Sequence, residues 1–464
     1  MRKSIRILIP TILLVASGAA SAQTTWYVDG VHGLDTNAGT SPAAAFQTVS
    51  WGLARAQYGD TVQVAAGVYT PSKGESFPMG PIQGVALIGA DPRTTIIDAE
   101  NATTQYGGDL VRLDSNSSFR GFTIRNGAHG SQSWWSGAIH IDDFMGGGLR
   151  VDNVTVERCV LDTINRAFYV GNPWDCVLNN IVIRNNVVIR ASADAIGLWG
   201  DRNSASSGNR VHNNTIIGGD LNHTTRDGVF CDNGVQVDIE NNIIYCVNHY
   251  GIGVGGQGTC AVNSAYNNIF TLTSGREYTV NAAAAFSQSN DTYNDPMFVD
   301  NVEDPHLLHG SPCIDAGDPT ITATADIDGN GLQGNALDQG ADEHCVEFLE
   351  ADLYAWPTVE GGATTTFTVL GQPGDYTVIQ LASSLSAIGA INLGSAGFLY
   401  LDPQYMFALA SPMVLDASGK AQVAVPVPPA RIYQGAHYFL QSINFPPSFT
   451  RMGLSDLEDL AFGR

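Results

Sequence analysis

The sequence predicts an all-β protein: a right-handed parallel β-helix solenoid followed by a C-terminal antiparallel β-sandwich. Three observations carry that prediction. Two short-strand patterns recur through the middle of the 464-residue chain. No helix-length amphipathic segment separates the copies. After about residue 348 the recurrence stops, and alternating apolar runs punctuated by proline and glycine take over, as in antiparallel strands.

The elements follow in order. Residues 1–22 have the make-up of an export signal: "MRKSIR" is basic, "ILIPTILLVA" is apolar, and "ASA" ending at Ala22 supplies small residues for cleavage. A secreted or cell-surface protein is therefore expected, its mature chain starting near Gln23; a lone N-terminal anchor is the alternative. No later apolar run reaches the ~18 residues a membrane span needs. Residues 23–110 are assigned to a cap and the first rungs, 111–294 to the repeats, 295–347 to a closing module and 348–464 to the sandwich.

The repeats are explicit. Ala138-Ile-His-Ile, Ala167-Phe-Tyr-Val, Ala195-Ile-Gly-Leu, Gly228-Val-Phe-Cys and Gly251-Ile-Gly-Val share one pattern, at steps of 29, 28, 33 and 23 residues. Each reads small, apolar, variable, apolar. That is a short strand with two side chains facing inward. A second pattern interleaves with it: "FTIRNGA", "VTVERCV", "IVIRNNV", "RVHNNTI", "DIENNII" and "SAYNNIF". It puts Asn126, Arg158, Asn185, Asn213, Asn241 and Asn267 in register, at steps of 32, 27, 28, 28 and 26 residues. Such a period fits one turn of a three-sided coil. Asparagines stacked at a tight corner can satisfy the backbone of their own rung and the next. Cys159 falls where Asn186 does, and Cys231 where Leu198 and Val254 do. Both read as small core residues.

Composition limits the partners. Net charge is −23, and only Lys3, Lys73 and Lys420 are lysines. Such a surface repels nucleic-acid phosphates and anionic lipid, and attracts cations such as Ca²⁺. A monomer is expected.

Two stretches resemble known families. "WYVDGVHGLDTNAGTSPAAAFQTVSWGLARAQYGDTVQVAAGVYT" (26–70) and "GESFPMGPIQGVALIGAD" (74–91) resemble the domain of unknown function that opens many secreted, pectate-lyase-like parallel β-helix proteins. "DPMFVD…HLLHGSPCIDAGD…DIDGNG…DQGADE" (295–343) resembles the closing module of bacterial surface proteins called choice-of-anchor Q. The resemblance implies fold and export, and names no substrate. Pectate-lyase-like enzymes commonly take the C5 proton of a uronate with a Lys or Arg base, with Ca²⁺ on the carboxylate. Here the ladders hold no lysine. Arg166, Arg184, Arg202 and Arg226 are poor bases unless strongly perturbed; His140, His223 and His249 titrate nearer neutrality. No LPxTG-type anchor motif follows, so covalent surface anchoring is not expected.

Register then selects candidates. Rungs of a sheet lie about 4.8 Å apart, which makes Asp194 and Asp227 neighbours, with Arg166 one rung away. Two such carboxylates can bind Ca²⁺, share a proton or serve as a glycosidase pair. They are the candidate catalytic residues. An Asp before a turn is also ordinary turn chemistry. His140, Asp142, Tyr169, Trp174, Trp199 and Asp232 are expected on the same outward face as the substrate-binding set, joined by Trp134 and Trp135. Exposed indoles stack on sugars; buried ones merely pack. "DIDGNG" offers Asp326, Asp328 and Asn330 at calcium-loop spacing, although Leu337 at position twelve rules out an EF-hand. A Cys313–Cys345 disulfide is expected across that loop. The expected function is binding or cleavage of an extracellular polysaccharide, by a lyase or a glycoside hydrolase route. The alternative is a non-catalytic adhesion surface.

Overall fold

The protein is described by a computed structural model. It covers residues 23–343 except 103–107, 128–135, 148, 173, 219–224, 272–275, 301–303, 308–310, 323, 330 and 332–335, with isolated strands and short flanking pieces beyond 343. Residues 1–22, where the sequence suggests an export signal, and Trp134, Trp135, His223, Asn330 and Cys345 lie outside the described residues.

The chain winds repeatedly through three parallel sheets, here I, II and III, in that order. Sheet I has ten strands, from Thr25–Val28 to Ala285–Ser289. Sheet II has eight, from Gly67–Tyr69 to Asn268–Phe270, and sheet III eight, from Met79–Ile82 to Tyr278–Val280. The expected inward column is in register: Ile139, Phe168, Ile196, Val229 and Ile252 pair in sequence along sheet III and are fully buried. Leu198, Cys231 and Val254 align as predicted. Each fully buried large apolar side chain contributes roughly 1.5–3 kcal/mol, so stacked rungs hold the coil.

The corner from sheet I to sheet II is left-handed. Gly121, Arg158, Asn185, Asn213, Asn241, Tyr266 and Asn290 stand there, the non-glycine residues with φ between +52° and +57°. Asparagine tolerates this region better than most residues. The expected column needs two corrections. Arg120 pairs with Glu157, so Gly121 precedes Arg158, and Asn126 instead follows the sheet II strand Thr123–Arg125. Glu240 pairs with Ala265, so Tyr266, not Asn267, follows Asn241. Asn267 sits one position inward, in a buried ladder with Cys159, Asn186, Asn214 and Asn242. Each amide oxygen accepts the backbone N–H of the preceding rung, from Cys159 N to Asn186 Oδ1 (3.0 Å) through Asn242 N to Asn267 Oδ1 (2.9 Å). Each amide nitrogen from Asn186 onward donates to the next oxygen and to a backbone carbonyl. The ladder ends on Asp291, a pure acceptor, which takes the backbone N–H of Asn267 at 2.7 Å.

The "GESFPM" stretch gives Glu75, whose carboxylate accepts the backbone N–H groups of Val49 (2.6 Å) and Ser50 (2.9 Å) at the start of the helix Val49–Arg55. Thr48 caps the same end. Gly52 lets this helix lie close on Val28 and Val62 of sheet I.

The closing module does more than end the coil. It runs back along the outside of sheet II. Asp318 N donates to Asn241 Oδ1 (2.7 Å), and Ala341 N to Thr215 Oγ1 (2.9 Å). Ile327 and Ala341 cover Val160, Val187 and Ile189, while Phe298, Leu307 and Cys313 cover Ile217 and Ile243. The expected disulfide is not formed: Cys313 is a free, buried thiol whose sulfur accepts from Asn268 Nδ2 at 2.9 Å. All six described cysteines are free.

Beyond residue 343, Thr364–Leu370 pairs antiparallel with Lys420–Pro426, and Tyr376–Ala382 with His437–Phe445. The antiparallel character is as the sequence suggests; packing of these strands into a sandwich lies outside the described residues. No helix among the described residues is long and apolar enough to cross a membrane.

Candidate functional site

The outer face of sheet III carries His140, Tyr169, Gly197, Phe230 and Gly253 in one column, as register requires. Trp199 leans back over Gly197, so the rings form a continuous pile. His140 meets Tyr169 edge-on at 4.8 Å, Tyr169 stacks on Trp199 at 4.4 Å, and Phe230 follows at 6.0 Å. The Arg166 guanidinium lies over both Tyr169 (5.5 Å) and Trp199 (5.2 Å).

This column is covered, contrary to the exposed face that the sequence suggests. His140, Tyr169 and Trp199 are buried, and Asp194 and Asp227 are only 2% and 1% exposed. The two aspartates stand on the turns leading into sheet III. There the backbone of each rung bonds the next, with Ala195 N donating to Asp227 O and Gly228 N to Tyr250 O. Trp174 alone among the three described candidate aromatics is open to solvent, at 78%.

The charges pair within this layer. Asp194 accepts from Arg166 at 3.0 Å. Asp227 accepts from the backbone of Tyr250 (3.0 Å) and shares a hydrogen with His249 Nδ1 at 2.7 Å. Arg226 bridges the two carboxylates, at 3.7 Å from Asp194 and 3.5 Å from Asp227. Burial, reinforced by the charge of Asp194, raises the Asp227 pKa; the His249 contact opposes it. The Arg226 and His249 side chains are 48% and 42% exposed, so this is where the buried layer reaches water. Deeper in, Asp109 holds His140 Nδ1 (2.9 Å) and Arg112 (2.9 Å). His140 Nε2, the Tyr169 hydroxyl and Asp194 Oδ1 are buried and find no hydrogen-bond partner among the described residues.

The remaining candidates have separate duties. Asp142 accepts from Asn172 Nδ2 (2.8 Å), and Asn172 in turn caps the backbone of Trp174. Asp232 accepts the backbone N–H groups of Asn233 and Gln257, both at 2.9 Å, which is turn chemistry. Asp328 faces His306 (2.8 Å) and Arg93 (3.5 Å); despite burial these cations hold its pKa well below the usual carboxylate range. Asp326 instead accepts from the backbone of Asp328 and Glu343. Burial pushes the Cys159 thiol up to about 12 and the Cys231 thiol well above its ordinary value, so neither is a nucleophile. Sequence reasoning missed Asp109 and Arg112. Their "DLVR" run matches the strand pattern that opens each sheet III rung, one rung before His140.

The protein is a parallel β-helix whose covered outer face joins aromatic rings to a carboxylate–histidine–arginine group. The chain belongs to the family of proteins of unknown function DUF1565, whose model matches residues 31–291. Among curated proteins, none matches the chain in sequence. Similar solved structures include a rhamnogalacturonan lyase, at 14% identity and TM-score 0.40 over 60% of this chain and 91% of that one. A GH136 lacto-N-biosidase from Eubacterium ramulus shares 14% identity at TM-score 0.37, over 58% of this chain and 55% of that one. A pectate lyase shares 13% identity at TM-score 0.26, over 70% and 97%.

Proposed function

We propose that this is a secreted β-helix protein that binds an extracellular polysaccharide rich in uronate along sheet III and cleaves it by elimination. The observation that carries the reading is the Asp227–His249 contact with Arg226 beside it. Asp227 fixes Nδ1, which leaves Nε2 of the half-exposed His249 facing outward as a base. Arg226 is placed to neutralise a uronate carboxylate, which acidifies the C5 proton. Removing that proton forms the C4–C5 double bond and breaks the C4–O bond; the departing oxygen is protonated as it leaves. Exposed Trp174 gives a stacking platform at the rim.

Binding without cleavage is the second reading, favoured by the closed Arg166–Asp194 ion pair. One experiment separates them. Purified protein is offered a panel of uronate polysaccharides, and unsaturated-product absorbance and reducing ends are followed with and without chelator. Absorbance that His249→Ala abolishes supports elimination. Reducing ends without absorbance point to hydrolysis. Retention of a glycan with neither signal leaves the adhesion reading, and no retention at all removes both.

A further inference from the structure

A separate set of oxygens meets where the closing module crosses the asparagine corner, away from sheet III. Asn185 stands at that corner, 5% exposed. Its amide nitrogen donates to Ala325 O (2.5 Å) and Thr324 Oγ1 (3.4 Å), which settles the amide orientation. Its Oδ1 is buried and has no partner among the described residues. Glu343, also 5% exposed, uses Oε1 to accept the backbone N–H of Asp338 at 3.2 Å. Its Oε2 is buried and likewise without a partner. Both residues line one small enclosed cavity, together with Asp326, Thr322 and Thr324. With Asn213, the lining contributes two carboxylates, two side-chain amides and two hydroxyls, and neither sulfur nor imidazole.

We infer that Asn185, Asp326 and Glu343 bind a calcium ion that fastens the closing module to the coil. Two buried acceptor oxygens of different residues line one cavity, and no hydrogen bond among the described residues reaches either, which is the arrangement a cation satisfies. Calcium takes six to eight oxygens in flexible geometry, whereas magnesium demands a strict octahedron and keeps its waters. The neighbouring Asp328 is already neutralised by His306 and Arg93, so it is not needed as a ligand. The site is independent of the reading of sheet III.

The test uses the full chain, stripped with chelator and titrated calorimetrically with calcium chloride. One ion per chain is expected, with a melting temperature several degrees higher when it is bound. Glu343→Gln should weaken that binding at least tenfold, while Asp227→Asn keeps it. No binding by wild type, equal binding of magnesium, or unchanged affinity in Glu343→Gln overturns the inference. Should Glu343→Gln fail to fold, hydrogen exchange on wild type decides: calcium must slow exchange at Asn185–Asn186 and Asp326–Asp328, and protection confined elsewhere overturns it.

Discussion

The indole of Trp199 lies over the backbone of Gly197, so close that a Cβ there would stand 2.3 Å from the ring. Glycine is what lets the Tyr169–Trp199 stack form at 4.4 Å beneath the Arg166 guanidinium. Gly197→Ala must therefore expel the indole. A loss of about 1–3 kcal/mol in stability is expected, as for other overpacked sites, with a changed near-ultraviolet circular dichroism spectrum. An unaltered spectrum would show that the ring has room to stay.

The buried amide ladder gives a sharper stability test than the corner asparagines. Asn214 accepts from Asn186 and donates to Ile183 O (2.9 Å) and Asn242 Oδ1 (2.9 Å). Asn214→Leu strands those groups, at roughly 1–3 kcal/mol for each one left unpaired. Asn213 is held mainly by its left-handed φ of +52°. Asn213→Gly should cost far less, because glycine enters that region freely. Denaturant melts of both variants check the order, which reverses if the corner side chains carry the coil.

Much of this coil was legible. Period-two strands at a steady spacing fix the inward columns, because a one-residue slip would turn every apolar side chain outward. The slip at Asn267 came from matching "NN" to "NN". The rung from Asn241 is three residues shorter than the one before it, and Tyr266 takes a left-handed corner that no propensity suggests. The burial of sheet III was not legible, since solvent access there depends on turns joining distant rungs. The return of the closing module along sheet II had left a signal. Val187 and Ile189 are apolar on the same strand as the inward Val188, so both faces needed cover.

His212 makes acid stability a measurable property of the coil. Burial lowers its pKa to about 4, although its contact with Asn213 favours the charged form. The unfolded chain binds this proton near pH 6.5, so it holds more protons than the folded chain between about 6.5 and 4. The histidine's contribution is complete above 6.5 and is lost as pH falls through that window, by about 3 kcal/mol at most. His212→Gln should flatten the stability profile there. A wild-type profile that is already flat would show that the imidazole charges without penalty.

Asp194 and Asp227 share a turn column yet should answer differently to the same change. Asp194 is pinned by Arg166 at 3.0 Å, both buried. Asp194→Asn leaves the guanidinium without its counter-charge, and breaking such a pair from one side typically costs about 3–5 kcal/mol. Asp227 has a raised pKa, so its ionised form opposes folding, and that cost grows as pH rises through the folded pKa. Asp227→Asn removes the charge and keeps an acceptor for Tyr250 N. It should melt at or above the wild-type temperature at neutral pH, while losing the orientation of His249 and with it most of the elimination rate. If instead Asp227→Asn unfolds the protein and Asp194→Asn does not, Asp227 is a structural residue and the base must be sought elsewhere on sheet III.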